Sequence, residues 1–172
     1  MPPEKKTKIV NEQYNILAKK LEEHDIDIDM VKENVKAFNV EIPSWVFGEF
    51  GGGRFGNYMP PAPALDRFSK LRDAAFVHEL TGATPNVAIH IGWDKPADVD
   101  FTEIEPDQFK ELSDYAEKQG IAIGAVNPTL FLDGTQHGSL SSPLEDIREQ
   151  LIEHCIISCE VAREYGTNLV TY

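Results

Sequence analysis

The chain has 172 residues, enough for one domain with a real core, and its 41% hydrophobic and 26% charged composition is that of an ordinary globular protein rather than a disordered one. Sixteen Lys and Arg against 29 Asp and Glu give a formal charge of −13, which repels phosphate backbones and anionic lipid and argues against a nucleic-acid partner. The basic cluster Lys5-Lys6-Thr7-Lys8 leads into no uninterrupted apolar run, so a signal peptide or membrane anchor is not expected and a cytoplasmic location is.

Val10, Tyr14, Leu17 and Leu21 fall at helical spacing, as do Ile28, Val31 and Val35, and predict two short helices before residue 38, separated by His24-Asp25-Ile26-Asp27. Residues 1–37 are therefore expected to form a helical extension. Phe38 to Pro43 is rich in β-branched and aromatic residues and ends in proline, which predicts a first strand. A Gly- and Pro-rich loop runs from Ser44 to Pro63. A helix follows with apolar positions Leu65, Phe68, Leu71, Ala75 and Leu80, and Gly82 closes it.

Val87 to Ile91 and Ile121 to Val126 are continuous apolar runs, as expected of strands buried on both faces. Between them, Pro106 opens a helix with the stripe Phe109, Leu112, Tyr115 and Ala116, and Gly120 ends it. Ser142-Pro143-Leu144-Glu145 reads as a capping box for a long helix whose stripe is Leu144, Ile147, Leu151, Cys155, Cys159 and Ala162, ending at Gly166. The two cysteines lie four apart on one helix face and read as buried core thiols. Asn168 to Tyr172 is expected to begin a fourth strand.

Helical crossovers of this length join parallel strands, which predicts an α/β fold of βαβαβαβ order. No strand is followed by a dinucleotide-type glycine fingerprint, and polar and aromatic residues gather just after strand ends. Both points favour the N-terminal half of a (β/α)8 TIM barrel, with four parallel strands over residues 38–172, over an open doubly wound sheet.

Several residues are candidates for chemistry. The loop from Trp45 to Tyr58 combines aromatic rings with Gly51-Gly52-Gly53-Arg54; it either closes on a ligand or is a surface loop, and it lacks the Gly-Lys-Ser/Thr ending of a phosphate loop. His90, near a strand end, either transfers a proton beside a barrel site or is a satisfied core histidine. Trp93 either covers a substrate face or packs under a loop. Asp94 and Lys95 read as a solvated pair. Asn127, at the end of the third strand, either donates to a ligand hydroxyl or caps the turn with Pro128, and Phe131 and His137 lie in the loop beyond it, within reach of a ligand. Asp25, Asp27 and Asp29 imitate a calcium loop, but Met30 replaces its glycine and Lys36 its glutamate. His78-Glu79 meets Gly82 where a zinc protease needs a second histidine.

Phe38 to Trp45, the Gly-Gly-Arg-Phe55 loop, Thr84 to Lys95 and Gly138-Ser139-Leu140-Ser141 together resemble the N-terminal half of L-rhamnose isomerases, of the subtype with broad aldose and ketose specificity. The resemblance implies a xylose-isomerase-like (β/α)8 enzyme, a homotetramer, that uses manganese or another divalent metal to interconvert an aldose and its ketose. It implies that His90 assists sugar-ring opening, that Trp45, Trp93 and Phe131 line the sugar pocket, and that Phe55 reaches a neighbouring subunit's site. In such enzymes the metal ligands lie on later strands, so none is expected in these residues. A barrel takes about 250 residues, and this chain is expected to carry half of one and to be inactive alone. Two alternatives stay open: another barrel enzyme, such as an epimerase, or a non-catalytic half-barrel completed by a copy of itself or a second chain.

Overall fold

The computed structural model describes residues 3–48, 62–132, 134–165 and 167–171. Phe55 and the glycine loop around Arg54 lie outside the described residues, as do Gly166 and Tyr172. The chain divides into two compact units, Met1–Phe38 and Asn39–Tyr172.

The first unit is a pair of helices, α1 (Pro3–Glu22) and α2 (Ile28–Ala37). Its acidic residues have structural duties. Asp27 caps α2 by accepting from the amides of Asp29 (2.8 Å) and Met30 (3.4 Å). Asp29 accepts from Tyr14 Oη (2.6 Å) and Lys32 Nζ (2.9 Å). Asp25 takes a left-handed conformation (φ 58°) that lets the Ile26 amide bond back to the Leu21 carbonyl, closing α1.

The second unit holds a three-stranded parallel sheet in the order β1 (Glu41–Pro43), β2 (Asn86–His90), β3 (Ala122–Asn127). Strand β1 is shorter than expected, because Phe38 ends α2 instead of opening the strand. Helix α3 (Arg67–Thr81) links β1 to β2. Asp66 caps it, accepting from the amides of Phe68 and Ser69 (both 2.8 Å), and Gly82 ends it at φ 66°. After β2 comes a single turn, α4 (Ile91–Asp94). Next is a 3-10 turn at Pro106–Phe109 that runs into α5 (Lys110–Lys118), where Gln108 Oε1 accepts from the Glu105 amide at 3.1 Å.

Facing residues of adjacent strands share a side of the sheet. Val87 and Ile89 of β2 pair with Ile123 and Val126 of β3, and all four enter the core with Leu71, Ile91, Ile104, Phe109 and Leu112. Ala88 and His90 pair with Ala125 and Asn127 and face the other way. The register slips by one between Val87 and Ala88, leaving Gly124 as the extra residue of a bulge. A side chain there has no room: its Cβ would fall on the Glu41 carboxylate and 2.7 Å from Asn86 Cβ.

Three expectations need correction. The fourth strand reduces to one parallel bridge, Val170 to Val126, among the described residues. Thr167 explains why: its hydroxyl donates to the Gly124 carbonyl and accepts from the Leu169 amide at 3.3 Å, taking the two backbone groups that would extend the ladder. The capping box at Ser142 also fails. Helix α6 (Glu145–Glu164) starts after Leu144, while Ser142 Oγ accepts from the Leu144 amide (3.2 Å) and its carbonyl from Arg148 Nη1 (2.6 Å). Finally, α6 is rotated from the expected face. Leu151, His154, Ser158, Val161 and Ala162 are buried, Cys155 is half-buried with its thiol pKa raised by burial, and Cys159 is exposed. The polar members of that face can be buried because Ser158 Oγ donates to the His154 carbonyl (2.7 Å) and His154 itself accepts a backbone amide.

Phe109 is fully buried in this core, so Phe109→Ala is expected to cost about 3–5 kcal/mol of unfolding free energy. Asp66→Ala, which removes only a cap, is expected to cost about 1 kcal/mol. Urea denaturation of the two variants at equal pH checks the ranking.

Candidate functional site

All three strands end on one side of the sheet, and the residues just past their ends converge. Pro43 of β1 leads into Ser44 and Trp45, β2 ends at His90 and continues to Trp93, and β3 ends at Asn127 and continues to Thr129 and Phe131. The His90 ring stacks on Trp93 with centroids 4.1 Å apart, meets Trp45 edge-on at 5.4 Å, and lies 5.5 Å from Phe131. Trp93 and Phe131 are 5.6 Å apart. Four of the five candidate site residues are thus in one cluster, with Phe55 outside the described residues. Trp93 and Phe131 each keep 39% of their surface exposed, whereas His90 keeps 4%. His137 lies exposed and joins nothing in the cluster among the contacts described.

Asp94 is not part of a solvated pair. It is 1% exposed and accepts three bonds: Lys70 Nζ to Oδ1 (2.8 Å), and Ser44 Oγ (2.5 Å) and the His90 amide (2.8 Å) to Oδ2. Lys95 bonds elsewhere, to the carbonyls of Val99 (2.5 Å) and Pro96 (3.4 Å). A carboxylate can be buried when a cation and further donors satisfy it, and the turn α4 brings those donors together. Lys70 reaches Asp94 past Gly48, where a Cβ would lie 2.8 Å from Lys70 Cε.

Thr129 is fully buried, and its hydroxyl lies 2.6 Å from His90 Nδ1 while accepting the Gly92 amide at 2.8 Å. Gly92 has to be small here: a Cβ would stand 2.5 Å from Thr129 Oγ1. The Thr129 amide donates to His154 Nε2 (2.8 Å), whose ring packs 4.2 Å from that of Phe101. His154 is therefore protonated on Nδ1, a buried atom with no partner among the described residues. Asn127 Nδ2 donates to the Ile89 carbonyl (3.2 Å), and its Oδ1 accepts from Thr171 Oγ1, so it braces strand ends.

Ser44, Lys70, Thr129 and His154 escape a reading of the sequence. Ser44 lies within the Phe38–Trp45 block but carries no signal of its own, Thr129 sits in no motif, and Lys70 and His154 look like ordinary helix residues. The weak signal for Thr129 is its place two residues beyond a strand end.

The cluster does not suit a metal. Among the described residues no group of three or more His, Cys, Asp or Glu side chains is placed to hold an ion. The oxygens of Asp94 are already taken by Lys70, Ser44 and the His90 amide.

A family model described as L-rhamnose isomerase (RhaA) matches residues 8–172. The chain belongs to the L-rhamnose isomerase family. It is 35% identical over 164 residues to a probable sugar isomerase of Rhizobium meliloti, covering 92% of this chain and 36% of the relative. A probable sugar isomerase of Mesorhizobium japonicum is 32% identical, with 92% and 35% covered. An L-rhamnose isomerase of Lactiplantibacillus plantarum is 27% identical over 184 residues, with 95% and 41% covered. The chain thus spans little more than a third of the length of the first two of these relatives. No helix among the described residues is long and apolar enough to cross a membrane.

Two predictions follow from this geometry. Asp94→Ala leaves Lys70 buried without its partner and is expected to cost about 3–5 kcal/mol, whereas the double change Asp94→Leu with Lys70→Met is expected to cost less than Asp94→Ala alone; urea midpoints of the two proteins decide it. The second concerns pH. Burial lowers the His90 pKa to about 4, against the attraction of Asp94 and helped by His154 and Lys70, and burial lowers His154 to about 4 as well. An unfolded histidine titrates near 6.5, so between pH 6.5 and 4 the unfolded chain binds protons that the folded chain refuses. Stability is full above that window and falls as pH drops through it, by on the order of 3 kcal/mol per histidine. His154→Gln keeps an acceptor for the Thr129 amide but cannot titrate, and its unfolding midpoint is expected to fall less between pH 7 and 4.5 than that of the parent.

Proposed function

We propose that this chain supplies one wall of the sugar site of a metal-dependent aldose–ketose isomerase of the L-rhamnose/L-rhamnulose type. The observation that carries the reading is the cluster itself. Three aromatic rings from the ends of three parallel strands surround one histidine, in a chain whose family is L-rhamnose isomerase. Ligand sites of parallel α/β folds lie at the carboxyl ends of strands, where this cluster is.

In this reading Trp45, Trp93 and Phe131 bind the apolar faces of a sugar and exclude water from it. His90 assists ring opening at the ring oxygen, and Phe55 reaches into the site of a neighbouring subunit in a homotetramer. The three-stranded sheet belongs to the N-terminal half of a (β/α)8 barrel, carried by residues 38–172 and preceded by the helical extension 1–37, in a cytoplasmic enzyme. Manganese or another divalent metal, held by ligands from outside these residues, would supply the polarisation of the sugar oxygens.

Trp45 and Trp93 are the two tryptophans of the sequence, so tryptophan emission, excited selectively over tyrosine, reports on this site alone. L-rhamnose is expected to change that emission in a saturable way. A protein of its relatives' full length that contains this chain is expected to convert L-rhamnose to L-rhamnulose with manganese, and His90→Asn in it to lower kcat roughly 100-fold or more. Residues 1–172 alone are expected to show no turnover. A longer protein that leaves every aldose tested unchanged removes the proposal.

A further inference from the structure

We propose that Thr129 is a positioning residue that fixes His90 in the Nε2–H tautomer, so that the histidine meets its ligand as a hydrogen-bond donor. The argument is a count of donors and acceptors around one buried oxygen. A threonine hydroxyl carries one hydrogen and accepts through two lone pairs. The Gly92 amide is a donor with no alternative role, and at 2.8 Å it occupies one lone pair of Thr129 Oγ1. His90 Nδ1, at 2.6 Å, is the second partner.

Two assignments exist for that second bond. If Nδ1 carried the proton and donated it, the hydroxyl hydrogen would be left with no acceptor: Thr129 is fully buried, and its oxygen bonds only Gly92 and His90 among the described residues. A stranded buried donor disfavours that assignment by roughly tenfold or more in population. If the hydroxyl donates to an unprotonated Nδ1, all three groups are satisfied. The proton of the neutral ring then sits on Nε2, which has no bond to any described residue.

The surroundings hold this arrangement in place. The Thr129 backbone is tied by its amide to His154 Nε2 on α6, and the Gly92 backbone can approach Thr129 only because it carries no Cβ. Asp94 spends its oxygens on Lys70, Ser44 and the backbone amide of His90, so no carboxylate of a described residue bonds the ring. His90 is thus oriented by a neutral hydroxyl instead of a carboxylate.

The consequence for ligand choice rests on the isomerase reading. The ring oxygen of a cyclic sugar is an ether, which has no hydrogen and only accepts. An Nε2–H group can bond it and an Nε2 lone pair cannot. The tautomer therefore prepares the site for the closed form of the sugar, the form that must be bound before it is opened.

The test is long-range nitrogen–proton correlation NMR of the imidazoles in residues 1–172 at neutral pH, with the His90 signals assigned by their loss in His90→Asn. Wild type is expected to show one tautomer, with Nδ1 at the unprotonated position and Nε2 at the protonated one. Thr129→Val is expected to move both nitrogens toward an average of the two tautomers, and Thr129→Ser to restore the wild-type pattern. A wild-type His90 protonated on Nδ1 or mixed between tautomers overturns the proposal, as does a folded Thr129→Val with wild-type shifts. If Thr129→Val does not fold, the wild-type and Thr129→Ser spectra still decide. The readout is independent of catalysis: the expected tautomer in a protein that binds no sugar would remove the isomerase reading and keep this one, and Nδ1–H in a sugar-binding protein would do the reverse.

Discussion

One buried carboxylate organises the end of the sheet. Asp94 accepts from Ser44, from Lys70 and from the His90 amide, so it binds the residue after β1, the first turn of α3 and the last residue of β2 to one point. Lys70 also reaches the Trp93 carbonyl at 3.3 Å. Trp45 follows Ser44 directly, so three of the four clustered rings belong to residues that bond the Asp94–Lys70 pair or adjoin one that does. A buried ion pair is seldom a source of net stability, because desolvation offsets most of the attraction. Its value here is positional: charge-assisted bonds are short and directional, and they hold rings to a geometry that aromatic packing alone leaves loose.

Thr129 brings the third strand into the same arrangement. Its hydroxyl joins the β2 end and its amide joins α6, so Phe131, two residues on, is placed relative to His90 through a short run of bonded chain. Most of the polar groups in this region are satisfied by neutral or paired partners. That is why two histidines can be buried and neutral there, and why the region tolerates a water-poor surface of aromatic rings.

The sequence was readable where a single local rule decides the outcome. Gly82 and Gly120 end helices at positive φ, Pro106 opens a helical turn, and the apolar runs of β2 and β3 became central strands. His90, Trp93 and Phe131 stood out in the sequence from their places at and beyond strand ends and Trp45 from the family resemblance, and the structure brings their rings into one cluster. It failed where a partner distant in sequence decides. Asp94 looks solvated until Lys70 and Ser44 are brought to it. The face of α6 looks like a cysteine stripe until Thr129 offers His154 a bond. The fourth strand looks continuous until the Thr167 side chain substitutes for the backbone it would have paired with. In each case hydropathy was overruled by a specific hydrogen bond.

The bulge at Gly124 sets the phase of everything after it. Side chains along a strand alternate, so Ile123 and Val126, three apart, belong on opposite faces of a regular strand; the extra residue between them puts both in the core. The same half-turn sends Asn127 to the side of His90 and starts the chain toward Thr129 from that side. A regular strand of all six residues, with Gly124 paired instead of bulged, would carry the side chains after it with inside and outside exchanged, burying Asn127 and presenting Val126 on the side of His90. The residue with no side chain is therefore the one that decides which side chains the site receives.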